Sequence, residues 1–122
     1  MRSTEPGPLT ADERSLLDAL LAQNFLGVEA LRLQAESVEA KRGCQCGCGT
    51  IALVVARDQL PRSDASSPVP AEGEVFDSAG NGVGGLLLFL HDGFLASLEI
   101  YSNAEPLPLP APETVRWVMT SR

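Results

Sequence analysis

The stretch Leu86-Leu87-Leu88-Phe89-Leu90-His91-Asp92-Gly93-Phe94-Leu95-Ala96-Ser97-Leu98-Glu99-Ile100-Tyr101 decides the fold. Two apolar-rich runs flank an Asp-Gly pair, and a two-residue connection of that type favours a type I′ turn, whose twist matches the strands it joins. The stretch is therefore a β-hairpin. Counting back from the turn sets His91 opposite Phe94, Phe89 opposite Ala96 and Leu87 opposite Leu98 on one face. The other face pairs Leu90 with Leu95, Leu88 with Ser97 and Leu86 with Glu99. The first face is apolar apart from His91 and is expected to meet the helices. The second turns polar away from the turn and is expected to be part exposed.

Upstream of the hairpin the hydrophobic period changes twice. Thr10-Ala11-Asp12-Glu13 has the form of a capping box. Leu16, Leu17, Leu20 and Leu21 follow at helical spacing, which predicts a helix over 11–23. Gly27 marks a bend, and a shorter helix over 28–34 turns Val28 and Leu31 inward. Two helices so briefly joined are expected to lie side by side. From Ser37 the period is two: Val38, Ala40 and Arg42 alternate with Ser37, Glu39 and Lys41, as in a half-exposed strand. Ile51 to Val55 is a short apolar strand. The segment 57–70, rich in Ser, Asp and Pro, is expected to be an exposed loop. Glu72 to Asp77 is a third strand, ended by a turn in which Asn81-Gly82 is expected to supply positive φ.

Downstream, Pro106-Leu107-Pro108-Leu109-Pro110-Ala111-Pro112 must be extended, because alternate prolines exclude helix and ladder alike. It is expected to run over the sheet and to tuck Leu107, Leu109 and Trp117 against it. Val115, Trp117 and Met119 fit either an edge strand or one helical turn. The expected architecture is α+β: two N-terminal helices packed on one face of a four- to five-stranded antiparallel sheet, with a meander the simplest order. One domain covers 1–122, with a loose start over 1–9 and an extended Pro-rich segment over 104–112.

Composition narrows the partners. The 122 residues include nine basic and sixteen acidic side chains, a formal charge of -7. Such a field repels nucleic-acid phosphates and anionic membrane surfaces. No apolar run is long enough to span a bilayer, and the first ten residues lack a signal-peptide pattern. A cytoplasmic protein with reduced thiols is expected, as a monomer or homodimer. One Lys against eight Arg suggests a GC-rich bacterial genome.

All three cysteines fall in Gly43-Cys44-Gln45-Cys46-Gly47-Cys48-Gly49. Zinc requires thiolates gathered tetrahedrally at about 2.3 Å. Alternate positions on a straight strand hold Cβ atoms roughly 7 Å apart. Cys44, Cys46 and Cys48 therefore form a zinc site only if the glycines bend the chain, with His91 available as the fourth ligand. Otherwise the segment is a glycine-rich turn with inert thiols. His91 as a general base needs a nucleophile within reach, from the cysteines or Ser97. Asp92 and Glu99 lie at opposite ends of the hairpin and are expected to be solvated charges. Gly80-Asn81-Gly82-Val83-Gly84-Gly85 leads into a strand and lacks the lysine and helix of a phosphate loop.

The capped Leu-rich helix, the Gly-Cys-Gly turn, Gly85-Leu86-Leu87-Leu88-Phe89, Asp92-Gly93 and Leu98-Glu99-Ile100-Tyr101 occur in an order that resembles a group of small actinobacterial proteins of unknown function. The likeness spans residues 9–103 and implies no activity. The hairpin ending in Leu-Glu also resembles small immunity-type proteins that neutralise partner toxins. The leading expectation is a non-catalytic protein-interaction module for a basic partner. The alternative is a thiol- or metal-binding protein built on Cys44, Cys46 and Cys48.

Overall fold

The computed structural model describes residues 6–41, 49–102 and 107–120. Helices α1 (Ala11–Leu21) and α2 (Val28–Ala35) precede the strands β1 (Glu39–Lys41), β2 (Ile51–Val54), β3 (Ala71–Phe76), β4 (Gly82–His91), β5 (Phe94–Ser102) and β6 (Val115–Met119). The strands form one antiparallel sheet in the order β1-β2-β5-β4-β3-β6. The fold is α+β, as expected, but with six strands rather than four to five. The extra strand is β6, which follows a single 3-10 turn at Pro112–Thr114, so the turn and the strand occur in succession.

The order is not a meander. The chain leaving β2 wraps around the Asp92–Gly93 turn before entering β3, and β3 therefore lands on the far side of β4. Backbone bonds trace the path: Ser63 N–H donates to Gly93 O at 2.9 Å, and Val69 N–H donates to Leu88 O at 3.0 Å. This connection is less exposed than its composition suggests, because Ser63 and Val69 are buried. Ser63 Oγ donates to Gly27 O at 2.7 Å and accepts the Ala65 N–H at 3.0 Å, which ties the connection to the bend between the helices. A side chain at Gly27 would collide with that hydroxyl and with Ala65 N, and its φ of +88° also favours glycine.

The helices form as their sequences dictate. Glu13 N–H donates to Thr10 Oγ1 at 3.1 Å, and Thr10 N–H donates to Glu13 Oε1 at 2.9 Å, closing the capping box. Helix α1 stops at Leu21, two residues short of the expected end. Each helix satisfies terminal carbonyls of the other: Arg14 Nη1 donates to Ala35 O at 2.6 Å and Arg32 Nε to Leu21 O at 2.7 Å. Cations at helix C-termini also complement the dipole. Leu16, Leu17, Leu20 and Leu31 are fully buried against Leu86, Leu88 and Leu98 in one core cluster. Burial of such a leucine contributes about 1.5–3 kcal/mol.

The hairpin turn is as expected, with positive φ at Asp92 (53°) and Gly93 (85°). Its register is not. His91 faces Phe94 and Leu90 faces Leu95, but a bulge then opens, and Phe89 faces Ser97, Leu88 faces Leu98 and Leu86 faces Ile100. Ala96 is the extra residue. Without the bulge, Leu95 and Leu98 would point to opposite faces; with it, both enter the core. The face buried under the helices is therefore that of Leu86, Leu88, Leu95, Leu98 and Ile100, and Leu87 and Phe89 lie on the opposite face.

Two smaller differences concern the ends of elements. Gly7 belongs to the start expected to be loose, yet it exchanges both backbone hydrogen bonds with Ala40. In the β3–β4 turn the positive φ falls on Gly80 (87°), not on Asn81 or Gly82. Leu107 and Leu109 pack against the core as expected, and Gly49 N–H donates to Leu107 O at 3.0 Å.

Candidate functional site

Strand alternation places one set of side chains under the helices and the other set on a face that no described helix covers. Reading across the open face from the β6 edge, Arg116, Glu74, Gly85 and Tyr101 form one row, because each is the register partner of the next. Beside it, Val118 pairs with Glu72 and Leu87 with Glu99. Phe89 and Ser97 form another row, with Ala52 beyond them on β2. Leu87 and Phe89 are half-buried, while Val54, Glu99 and Tyr101 are exposed. The result is a mixed surface: aliphatic and aromatic groups in the middle, carboxylates at 72, 74 and 99 among them.

The Arg116 end of this face has the most defined geometry. Arg116 Nη2 donates to Glu74 Oε1 at 2.7 Å, and Nε donates to the same oxygen at 3.2 Å. The guanidinium carbon sits 5.0 Å from the centroid of the Phe76 ring, within cation–π range. One cation is thus held between an aromatic face and a carboxylate. Glycines give this cradle its depth. A Cβ on Gly85 would collide with the Tyr101 ring and its Oη, so only glycine allows the ring to lie across β4. Two shallow grooves meet at Phe76 and Arg116. One, of about 320 Å³, is lined by Glu74, Gly82, Gly84 and Tyr101; the other, of about 460 Å³, by Asp77, Gly80, Glu113, Thr114 and Val115.

Asp77 shapes the rim of the second groove. Its Oδ1 accepts the Asn81 N–H and the Ala79 N–H, each at 2.9 Å. These bonds favour the ionised form, the Asn81 N–H most strongly, and hold the carboxyl below its ordinary value of 3.8 against a smaller opposing effect of burial.

The residues singled out in the sequence lie elsewhere. His91 is at the hairpin turn, exposed, with Nε2 3.4 Å from Asp92 Oδ2. Arg57 approaches the same carboxylate at 3.7 Å and stacks over Phe94 at 5.1 Å. Ser97 Oγ instead donates to Glu99 Oε2 at 3.1 Å. The zinc expectation for Cys44, Cys46 and Cys48 falls outside the described residues. Of the described residues that flank that segment in sequence, Lys41 pairs with Ala52 in the row of Ser97, and Gly49 adjoins Thr50 at the sheet end remote from His91. Thr50 Oγ1 donates to Ile100 O at 3.3 Å and accepts the Ile100 N–H at 2.8 Å, six positions along β5 from Phe94, or about 20 Å of strand. Among the described residues, no three of His, Cys, Asp and Glu gather as a metal site, and no helix is long and apolar enough to cross a membrane.

Sequence reasoning missed Arg116, Glu74, Phe76 and Tyr101 as a group. Arg116 and Glu74 are 42 positions apart, and only the β3–β6 pairing brings them together. The available signal was the alternation in Glu72-Gly73-Glu74-Val75-Phe76, which marks a polar face on a strand otherwise read for its core. Comparison of the chain with protein-family models, with curated proteins and with solved structures finds no match.

Proposed function

We propose that this chain is a non-catalytic protein-interaction module, immunity-like in the sense that it captures a basic protein partner, and that it does so on the open face of the sheet. The observation that supports this reading is the composition of that face. Leu87 and Phe89 supply apolar area at its centre, and Glu72, Glu74 and Glu99 surround them. Apolar centres with charged surroundings are the usual anatomy of protein interfaces. The chain's charge of -7 steers a basic partner toward it.

The experiment is capture from the source cell with immobilised wild-type protein, beside Leu87→Lys and Glu99→Lys variants checked for unchanged thermal melts. A partner retained by the wild type and lost by both variants supports the reading. If nothing is captured, or if both variants retain the same protein, the open face is not the docking surface.

A further inference from the structure

We propose that the Phe76–Glu74 cradle is a binding site for an arginine side chain of the basic partner, and that Arg116 is an internal placeholder exchanged for it on docking. The inference rests on the docking reading above and adds a location and a chemistry to it. What points to a guanidinium is that one is already there. The chain's own Arg116 lies 5.0 Å over the Phe76 ring and bonds to Glu74 Oε1 through two nitrogens. A cation over an aromatic ring that also donates through two nitrogens to one carboxylate suits arginine better than lysine.

The resident arginine is held weakly enough to leave. Its side chain is 69% exposed and that of Glu74 47%, and ion pairs this exposed contribute little. Both of its bonds end on Oε1, so an incoming guanidinium from the Gly82–Gly84 side first meets Oε2 beside Tyr101 and takes the Phe76 face as Arg116 leaves it. Across the shared Phe76–Arg116 wall, Asp77 and Glu113 line the neighbouring groove. Residues two apart on an extended strand project to one side about 7 Å apart. Because the two grooves share a wall, an extended segment with arginines at alternate positions is the probe chosen to address both. Three carboxylates line the two grooves against the single cation Arg116 among the described lining residues. That imbalance favours a basic occupant over a second copy of this acidic chain.

The probe is a fluorescein-labelled peptide of alternating Arg and Ser, titrated with the protein by fluorescence anisotropy at low and at physiological salt. Arg116→Ala is expected to tighten binding about three- to tenfold, because it removes the competitor and leaves Glu74 for the probe. Glu74→Gln is expected to weaken it about tenfold, and an alternating Lys-Ser peptide to bind less tightly than the arginine form. Backbone amide shifts of the wild type should centre on residues 74–84, 101 and 113–116. If Arg116→Ala leaves affinity unchanged or lowers it while melting like the wild type, the placeholder proposal is wrong. Shifts centred on Leu87 and Glu99, with Glu74→Gln silent, would also sink the cradle but leave the docking face standing. Absence of saturable binding overturns the cradle, and the docking reading is then judged by the capture experiment alone.

Discussion

The two faces of the β4–β5 hairpin are made from neighbouring residues of the same strands, yet they have opposite characters. Under the helices, Leu86, Leu88, Leu95 and Leu98 are all but inaccessible, at 2% exposure or less. Adjacent to Leu86, Leu88 and Leu98 in the same strands, Leu87, Phe89, Ser97 and Glu99 look outward and keep part of their surface in water. Apolar content alone does not separate the faces, since Leu87 and Phe89 are as apolar as the residues beneath. What separates them is phase. The bulge at Ala96 lets a run with leucines three apart, Leu95 and Leu98, serve one face. A single unpaired residue thus determines which side chains become core and which become surface available to a partner.

The sharpest way to break that account is to delete residues. Deleting Ala96 should remove the bulge and leave every later residue on its present face, because Ser97 already opposes Phe89 and Leu98 already opposes Leu88. A loss of less than about 2 kcal/mol is expected, with cooperative unfolding kept. Deleting Glu99 should instead turn Ile100 outward and Tyr101 into the core. That change is expected to cost more than about 4 kcal/mol or to abolish the folded state. Urea denaturation of the two variants decides the matter. Equal losses would mean that the bulge is not what sets the phase.

A smaller effect separates the two ends of the hairpin. Near the turn, the buried amide of Gln34 donates to Pro61 O at 2.8 Å and to Gly93 O at 3.0 Å, and it accepts the Leu95 N–H at 2.9 Å. One side chain from α2 thereby fixes the turn, the start of β5 and the connection that wraps around them. Gln34→Leu keeps the volume but orphans the buried Leu95 N–H. Gly93 O still accepts from Ser63, so one donor bears most of the penalty. The expected loss is about 2–3 kcal/mol, measured by chemical denaturation, with faster amide exchange at Leu95. A loss under about 1 kcal/mol would show that water reaches this end of the hairpin.

Much of this was legible in the sequence where the controlling interaction is local. The Thr10–Glu13 box, the Leu16 to Leu21 stripe and the Asp92–Gly93 turn each depend on residues within a few positions, and each formed as read. The alternation of Val38 and Ala40 gave a buried face to β1 for the same reason. The register failed because counting from a turn assumes equal steps on both strands. The warning was the three-residue spacing of Leu95 and Leu98, which no regular strand can bury on one face. The path of 57–70 failed because its polar composition conceals Ser63 and Val69, whose burial depends on Gly27 and Leu88 far away in sequence. The candidate site was the least legible part. Its side chains come from β3, β5 and β6, and no spacing along the chain reports a strand order.

The smallest expected effect lies at the rim of the open face and has no counterpart beneath the helices. Asp77 organises the β3–β4 turn by accepting from the N–H groups of Asn81 and Ala79, which lowers its pKa from the ordinary 3.8. A carboxyl with a depressed folded-state pKa stabilises the fold above its ordinary pKa. That contribution is lost as pH falls from there through the folded value. Asp77→Asn keeps a carbonyl oxygen in place of Oδ1, removes the charge and puts an amide NH2 in place of the second oxygen. At neutral pH the wild type should melt slightly above the variant; below pH 3.8 the gap should narrow and then close. Thermal melts across this range read the outcome directly. A gap that persists in acid would mean that the turn depends on acceptor geometry rather than charge, and the second groove would then lose its reason for keeping a carboxylate beside Glu113.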